Sequence, residues 1–166
     1  EQAALPYSPV LYEQNLSVQR IYMVEPGQGE ARELTVDGHF SALEWSPDGK
    51  KLICASAPTS LVDYSYMAVS LSMVDVATMK VLSTIDHQGK KGDAQWSPDG
   101  TQIAFIAASD LNDPTAGSLF VAPVTGGKPT ILQKDWEGMF EQIIWQDPGQ
   151  VHFIGSTGAE SVYGII

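Results

Sequence analysis

An all-β fold built from repeated four-stranded antiparallel sheets is what this sequence predicts, and three observations predict it. Trp45-Ser46-Pro47-Asp48-Gly49 returns as Trp96-Ser97-Pro98-Asp99-Gly100, 51 residues later. Self-similarity at a period of tens of residues marks a repeat architecture. Each copy also joins two apolar runs through turn-forming residues, the pattern of a β-hairpin. Finally, no segment sustains a helical period with capping residues at its ends, so little or no helix is expected.

Taken in order, the elements read as follows. The chain opens around Val10-Leu11-Tyr12, a plausible second strand of a unit whose first strand is missing. Arg20 to Val24 and Glu33 to Val36 follow as strands, linked by Glu25-Pro26-Gly27-Gln28-Gly29. Phe40 to Trp45 then leads into Ser-Pro-Asp-Gly. Pro presets φ at the first central turn position, Asp bonds its own backbone, and Gly supplies positive φ. The run Leu52-Ile53-Cys54-Ala55 closes that hairpin, and Met67 to Val74 and Val81 to Ile85 continue the unit across Asp75-Val76-Ala77-Thr78.

The second copy repeats this order. Asp93 to Trp96 and Ile103 to Ile106 flank the turn, and Ser118 to Ala122 and Thr130 to Leu132 flank Thr125-Gly126-Gly127. A worn third copy runs from Ile143-Ile144-Trp145 through Gln146-Asp147-Pro148-Gly149-Gln150 to Val151-His152-Phe153-Ile154. Pro and Asp have exchanged order there, but the turn chemistry survives. The chain stops at Tyr163-Gly164-Ile165-Ile166, inside a third strand.

One unit is thus four antiparallel strands over about 50 residues, within the roughly 40–50 residues of a β-propeller blade. The expected organisation is one incomplete propeller of about three blades: a partial blade over 1–38, blades over 39–88 and 89–138, and a partial blade over 139–166. Propellers close with about 4–8 blades, and an open arc leaves sheet edges bare. The expectation is therefore an excerpt of a longer polypeptide, with its function shared by residues outside it.

Composition limits the partners. The 166 residues carry a formal net charge of −11 and are 43% hydrophobic. There is no basic stripe, and phosphate neutralisation needs clustered cations, so nucleic acid and anionic membrane surfaces are disfavoured. No apolar run approaches the roughly 18 residues of a membrane span. The single Cys54 excludes an intrachain disulfide and a multi-cysteine metal site; it reads as a small buried hydrophobe. A chain starting at Glu1 with no leader fits a processed secretory protein or a trimmed chain, which favours a periplasmic or secreted setting and leaves a cytoplasmic one open. Asn15-Leu16-Ser17 is a glycosylation sequon that matters only in a eukaryotic secretory context.

Candidate chemistry is sparse. A hydrolase elbow needs Gly-x-Ser-x-Gly between strand and helix; Gly155-Ser156-Thr157-Gly158 is one residue short and leads into no helix. His39 and His87 fall in links preceding a first strand, and His152 in a second strand. None has a zinc-ligand pattern, so all three read as surface or repeat-loop residues. Asp110-Leu111-Asn112-Asp113-Pro114 offers oxygen ligands, but Pro114 and a missing distal Glu spoil a calcium loop, and an Asx-turn loop is the plainer reading. Asp48 and Asp99 belong to the repeat turns, and Glu25 and Glu30 flank a Gly-rich turn as solvated groups. Thr125-Gly126-Gly127-Lys128 is a hairpin turn, since no helix N-terminus follows to cradle phosphate. No cofactor is expected.

Two loops are longer than hairpin closure requires, Ser56 to Tyr66 and Ala107 to Gly117. Such loops often carry recognition. Both join second and third strands and should emerge on the face of the inter-blade links, opposite the Ser-Pro-Asp-Gly turns. Tyr64, Tyr66, Asp110, Asn112 and Asp113 are the candidate substrate or interface residues; Tyr pairs an apolar body with a polar tip. The competing reading is that these loops cover the rims of their own blades.

The Trp-Ser-Pro-Asp-Gly hairpin with its apolar second strand resembles the propeller repeats of two groups, the prolyl oligopeptidase family of serine peptidases and the periplasmic propeller of the Tol system. The segment Ile106 to Val121 and Lys134-Asp135-Trp136-Glu137-Gly138 look like the acylaminoacyl/dipeptidyl branch of the peptidases. That resemblance covers most of the chain from about residue 18 onward. It implies a non-catalytic propeller that caps a C-terminal α/β-hydrolase domain and restricts which peptides reach the serine. The catalytic Ser, Asp and His would lie beyond Ile166, so no catalytic residue is assigned here, and peptide substrates would be met through the parent enzyme. Some relatives hold a substrate's amino terminus with paired Glu residues; no adjacent Glu pair occurs here, which leaves aminopeptidase, endopeptidase and acylpeptidase undecided. The alternatives are a stand-alone protein-binding propeller like that of the Tol system, and a carbohydrate-acting propeller using Glu44, Gln95 and Gln142 on innermost strands.

Overall fold

A computed structural model describes residues 16–27, 29–112 and 114–166. The strand expected around Val10 to Tyr12 lies outside them, as do Asn15 and Asp113. The described chain is all-β apart from one short helix.

Strands β1 (Tyr22–Met23) and β2 (Arg32–Glu33) form a two-stranded antiparallel ladder. The next sheet has β3 (His39–Trp45), β4 (Lys51–Ala57), β5 (Ser70–Asp75) and β6 (Lys80–Thr84) hydrogen-bonded in chain order. A second four-stranded sheet follows the same order with β7 (Lys91–Trp96), β8 (Gln102–Ala108), β9 (Gly117–Pro123) and β10 (Thr130–Ile131). The last has three strands, β11 (Met139–Asp147), β12 (Gln150–Thr157) and β13 (Glu160–Ile165). Every ladder between these strands is antiparallel. These are blades of a propeller, about three to four of them, in an arc that does not close.

The repeated turns explain the hairpins atom by atom. Gly49 and Gly100 both sit at φ 68°, a left-handed conformation that favours glycine. Ser46 Oγ donates to Asp48 Oδ1 at 2.8 Å and accepts from the Lys51 N–H at 2.9 Å. Ser97 repeats this, donating to Asp99 Oδ1 at 2.6 Å and accepting from the Gln102 N–H at 2.9 Å. Both serines are buried. In the third copy Asp147 pairs with Gln150, and Pro148-Gly149 fills a two-residue turn with Gly149 at φ 75°. Proline first and positive-φ glycine second is the residue order of a type II turn.

The core lies between sheets. Ile53, Leu71 and Met73 of the first full sheet pack on Trp96, Ile103, Phe105 and Phe120 of the second. Ala104, Ile106 and Leu119 of the second pack on Phe140, Ile143 and Val151 of the third. On the other side, Leu52, Cys54 and Val74 meet Ile21 and Leu34 beside the small ladder. Alternation along each strand therefore feeds two seams at once, as expected for a sheet covered on both faces. At the outer edge Ser83 Oγ donates to Val124 O at 2.6 Å and Ile85 bridges Gly127, tying the first full sheet to the second.

Two sequence expectations need correction. The run assigned to a strand from Met67 begins only at Ser70, because Val62–Met67 form helix α1. Its turn is closed by the Ser65 N–H on Leu61 O and the Ala68 N–H on Tyr64 O, within a loop too short for any helical period to show. His39 is not in a link but opens β3.

Candidate functional site

The two long loops emerge at the end of the sheets opposite the Ser-Pro-Asp-Gly turns, because antiparallel strands return the chain there. The loop between β4 and β5 carries α1, which buries none of its residues. Tyr64 and Tyr66 stand out at 44% and 60% exposure. The Tyr66 ring lies 5.9 Å from Lys90 Nζ, a cation–π contact with the link that enters the second sheet. A cleft of about 540 Å³ is lined by Val62, Asp63, Tyr66, Met67, Lys90 and Leu111. Leu111, from the β8–β9 loop, is 61% exposed. The structure thus gathers both long loops and one inter-sheet link around Tyr66.

The acidic loop residues have a different job. Asp110 Oδ1 accepts from the Asn112 N–H at 2.8 Å and from the Thr115 hydroxyl. The Thr115 bond first, then the Asn112 backbone, hold the Asp110 carboxyl below the usual carboxylate range. Asp110 closes an Asx turn, so its lone pairs serve its own loop. Asn112 contributes its backbone, and Asp113 lies outside the described residues. Among the described residues no group of three or more His, Cys, Asp or Glu side chains could hold a metal ion.

A second constellation lies between the first strands of the two full sheets. β7 runs between β3 and β11. Glu44 and Asp93 line a cleft of about 270 Å³ with Ala42, Ile53, Ala55, Leu71 and Gly92. Glu44 Oε2 is buried without a hydrogen-bond partner. Burial, and then the Asp93 charge, push the Glu44 carboxyl up to about 7. Asp93 Oδ2 accepts the Ile143 N–H of β11 at 3.1 Å, and Trp96 Nε1 donates to Glu44 O at 3.3 Å. Lys91 points elsewhere, donating to Val69 O at 2.6 Å and Gly89 O at 3.2 Å; burial lowers its ammonium to about 8. Gln95 lines the same cleft as Glu44, whereas Gln142 lies on β11 beside Asp93, His152 and Tyr163.

The remaining candidates are structural. Ser156 lies within β12, paired with Met139 and Ser161, so it is on no strand-to-helix elbow. His87 sits in the loop between β6 and β7, as expected of a repeat-loop residue, and from there packs against Phe105 and Phe120 at ring distances of 5.7 and 4.7 Å. His152 Nδ1 and Tyr163 Oη are 2.6 Å apart, and His152 Nε2 lies 3.6 Å from Asp147 Oδ2.

Sequence reasoning reached Tyr64 and Tyr66 but missed Lys90 and Leu111, which join them only through the loop packing. It noted Glu44 without its partner. The available signal was a carboxylate interrupting an apolar strand beside the repeat Trp.

Residues 46–112 match the family model described as the dipeptidyl peptidase IV N-terminal region. No curated protein sequence matches the chain. Among solved structures, a putative TolB from Agrobacterium tumefaciens is similar at 21% identity and TM-score 0.54, over 82% of this chain and 44% of that one. TolB from Acinetobacter baumannii is similar at 15% identity and TM-score 0.59, over 88% and 34%. A prolyl endopeptidase is similar at 16% identity and TM-score 0.55, over 84% and 24%. The chain spans less than half the length of each of these structures.

Proposed function

We propose, from the premise that the chain is a partial β-propeller of the dipeptidyl peptidase IV and prolyl endopeptidase kind, that it belongs to the non-catalytic propeller of a serine peptidase. The observation that carries this reading is the family match over residues 46–112. That segment runs from the first Ser-Pro-Asp-Gly turn, through α1 and the second turn, into the second long loop. The proposed mechanism is steric and electrostatic. Blades packed on both faces form a stiff wall, and the loops around Tyr66 and Asp110 screen peptides approaching an α/β-hydrolase domain elsewhere in the parent enzyme. A net charge of −11 favours peptides bearing a free amine or basic groups.

The test is kinetic and uses the parent enzyme. Replacing residues 59–67 by a short Gly-Ser turn is expected to raise kcat/KM for long peptides relative to dipeptide reporters. Unchanged length selectivity would remove the gating role. A parent sequence without a Gly-x-Ser-x-Gly elbow between strand and helix would remove the peptidase reading altogether.

A second reading, a protein-binding propeller resembling that of the Tol system, draws support from the exposed Tyr64, Tyr66 and Leu111. Exposed aromatics suit partner contact. Under that reading the parent protein retains a partner in pull-down, loses it on Tyr66→Ala, and hydrolyses no peptide.

A further inference from the structure

The Glu44–Asp93 cleft has a property that neither a rigid scaffold nor a peptide gate requires. We infer that the seam between the β3–β6 and β7–β10 sheets is a proton-operated latch, closed while Glu44 is a neutral carboxylic acid and loosened when it ionises beside Asp93.

The argument is geometric first. Glu44 Oε2 is withdrawn from water and has no hydrogen-bond partner. A neutral carboxyl tolerates that position, whereas a carboxylate is strongly disfavoured in it. Among the described residues no cation lines the cleft. From β4 the cleft receives Ile53 and Ala55, from β5 Leu71, and from β7 Gly92, Ala94, Gln95 and the carboxylate of Asp93. Lys91, the nearest cation along β7, is committed to Val69 O and Gly89 O. Asp93 is held in place by the Ile143 N–H, so the second charge cannot swing away without breaking a contact to β11.

The seam is also where a local event reaches the backbone. Trp96 Nε1 bonds the carbonyl of Glu44 itself. Moving Glu44 outward to hydrate its charge pulls on that bond, and Trp96 belongs to the core cluster between the two sheets. The ionisation is centred near neutrality, since burial and Asp93 raise Glu44 to about 7.

Amide hydrogen exchange, corrected for intrinsic rates, tests this in the parent protein. An opened Glu44 titrates as an ordinary carboxylate near 4.5 and a closed one at about 7. Opening at residues 42–45 and 92–96 is then expected to rise about tenfold between pH 6 and pH 8. Glu44→Gln should abolish the rise. Asp93→Asn, which keeps an acceptor for Ile143 but removes the charge, should reduce it over the same interval. Carbon-13 titration of the Glu44 carboxyl in the wild type gives a readout free of any variant. An equal rise in wild type and Glu44→Gln, or a carboxyl titrating in the ordinary range, would overturn the latch.

Discussion

At the scale of single residues, the repeat is a hydrogen-bonding device before it is a packing device. The serine of each Trp-Ser-Pro-Asp-Gly turn donates to the aspartate and accepts from the strand that follows. Ser97→Ala leaves the Gln102 N–H without that acceptor and removes one of the donors to Asp99, whose bonds from Thr101 remain. It is expected to lower stability by about 1–3 kcal/mol, read from the urea midpoint. Asp99 is held below its ordinary range by Ser97 first and then the Thr101 backbone. A depressed carboxyl stabilises above its unfolded value and loses that contribution as pH falls through its folded one, so Asp99→Asn should flatten part of the acid limb. His87 acts in the same direction in a higher pH range. Burial first, then Lys91, lower its imidazolium below 6.5. The unfolded chain takes up a proton below 6.5 that the folded chain resists, so stability is lost as pH falls below that value. His87→Phe is expected to remove that component, measured as the urea midpoint at pH 5 against pH 7.5.

At the scale of elements, the seams set what each strand tolerates. Gly117 opens β9 where an added Cβ would lie 2.7 Å from Ile106 Cγ2 and 2.8 Å from Phe140 O. One of those neighbours is backbone of the next sheet and cannot rotate aside. Gly117→Ala is expected to destabilise by about 1–3 kcal/mol, whereas Gly29→Ala, with nothing within 4 Å, should be close to neutral. Strand positions were legible in the sequence because turn residues and apolar runs act over a few residues. Helix α1 was not. Six residues are too few for a hydrophobic period, and no side-chain cap marks the start of the helix.

At the scale of the whole molecule, identical motifs acquire different energetics from their neighbours. Trp96 is 4% exposed and Trp45 is 50% exposed, although each opens the same five-residue motif. Trp96 faces the complete β3–β6 sheet, while Trp45 lies on the side where the described residues supply only the β1–β2 ladder. Trp96→Ala is therefore expected to cost about 3–5 kcal/mol and Trp45→Ala less than about 1 kcal/mol, compared by denaturant titration with a shared m-value. The same logic describes the far face of the β11–β13 sheet. Ile154, Tyr163 and Ile165 are 45%, 66% and 51% exposed there. By strand register they correspond to Ala55, Leu71 and Met73 of the first full sheet and to Ile106, Leu119 and Val121 of the second. Those six residues lie in or against the cores between sheets.

The sequence by itself determined the all-β class, the repeat of about 50 residues, the hairpin turns and the two long loops. Each rests on short-range chemistry, such as proline's fixed φ, glycine's positive φ and an aspartate bonding its own turn. Only the tertiary structure decided that Tyr66, Lys90 and Leu111 share one cleft and that Glu44 faces Asp93. Those facts depend on which sheet lies against which. Burial and charge proximity are properties of neighbours brought together from about 50 residues away, and no local pattern of residues encodes them.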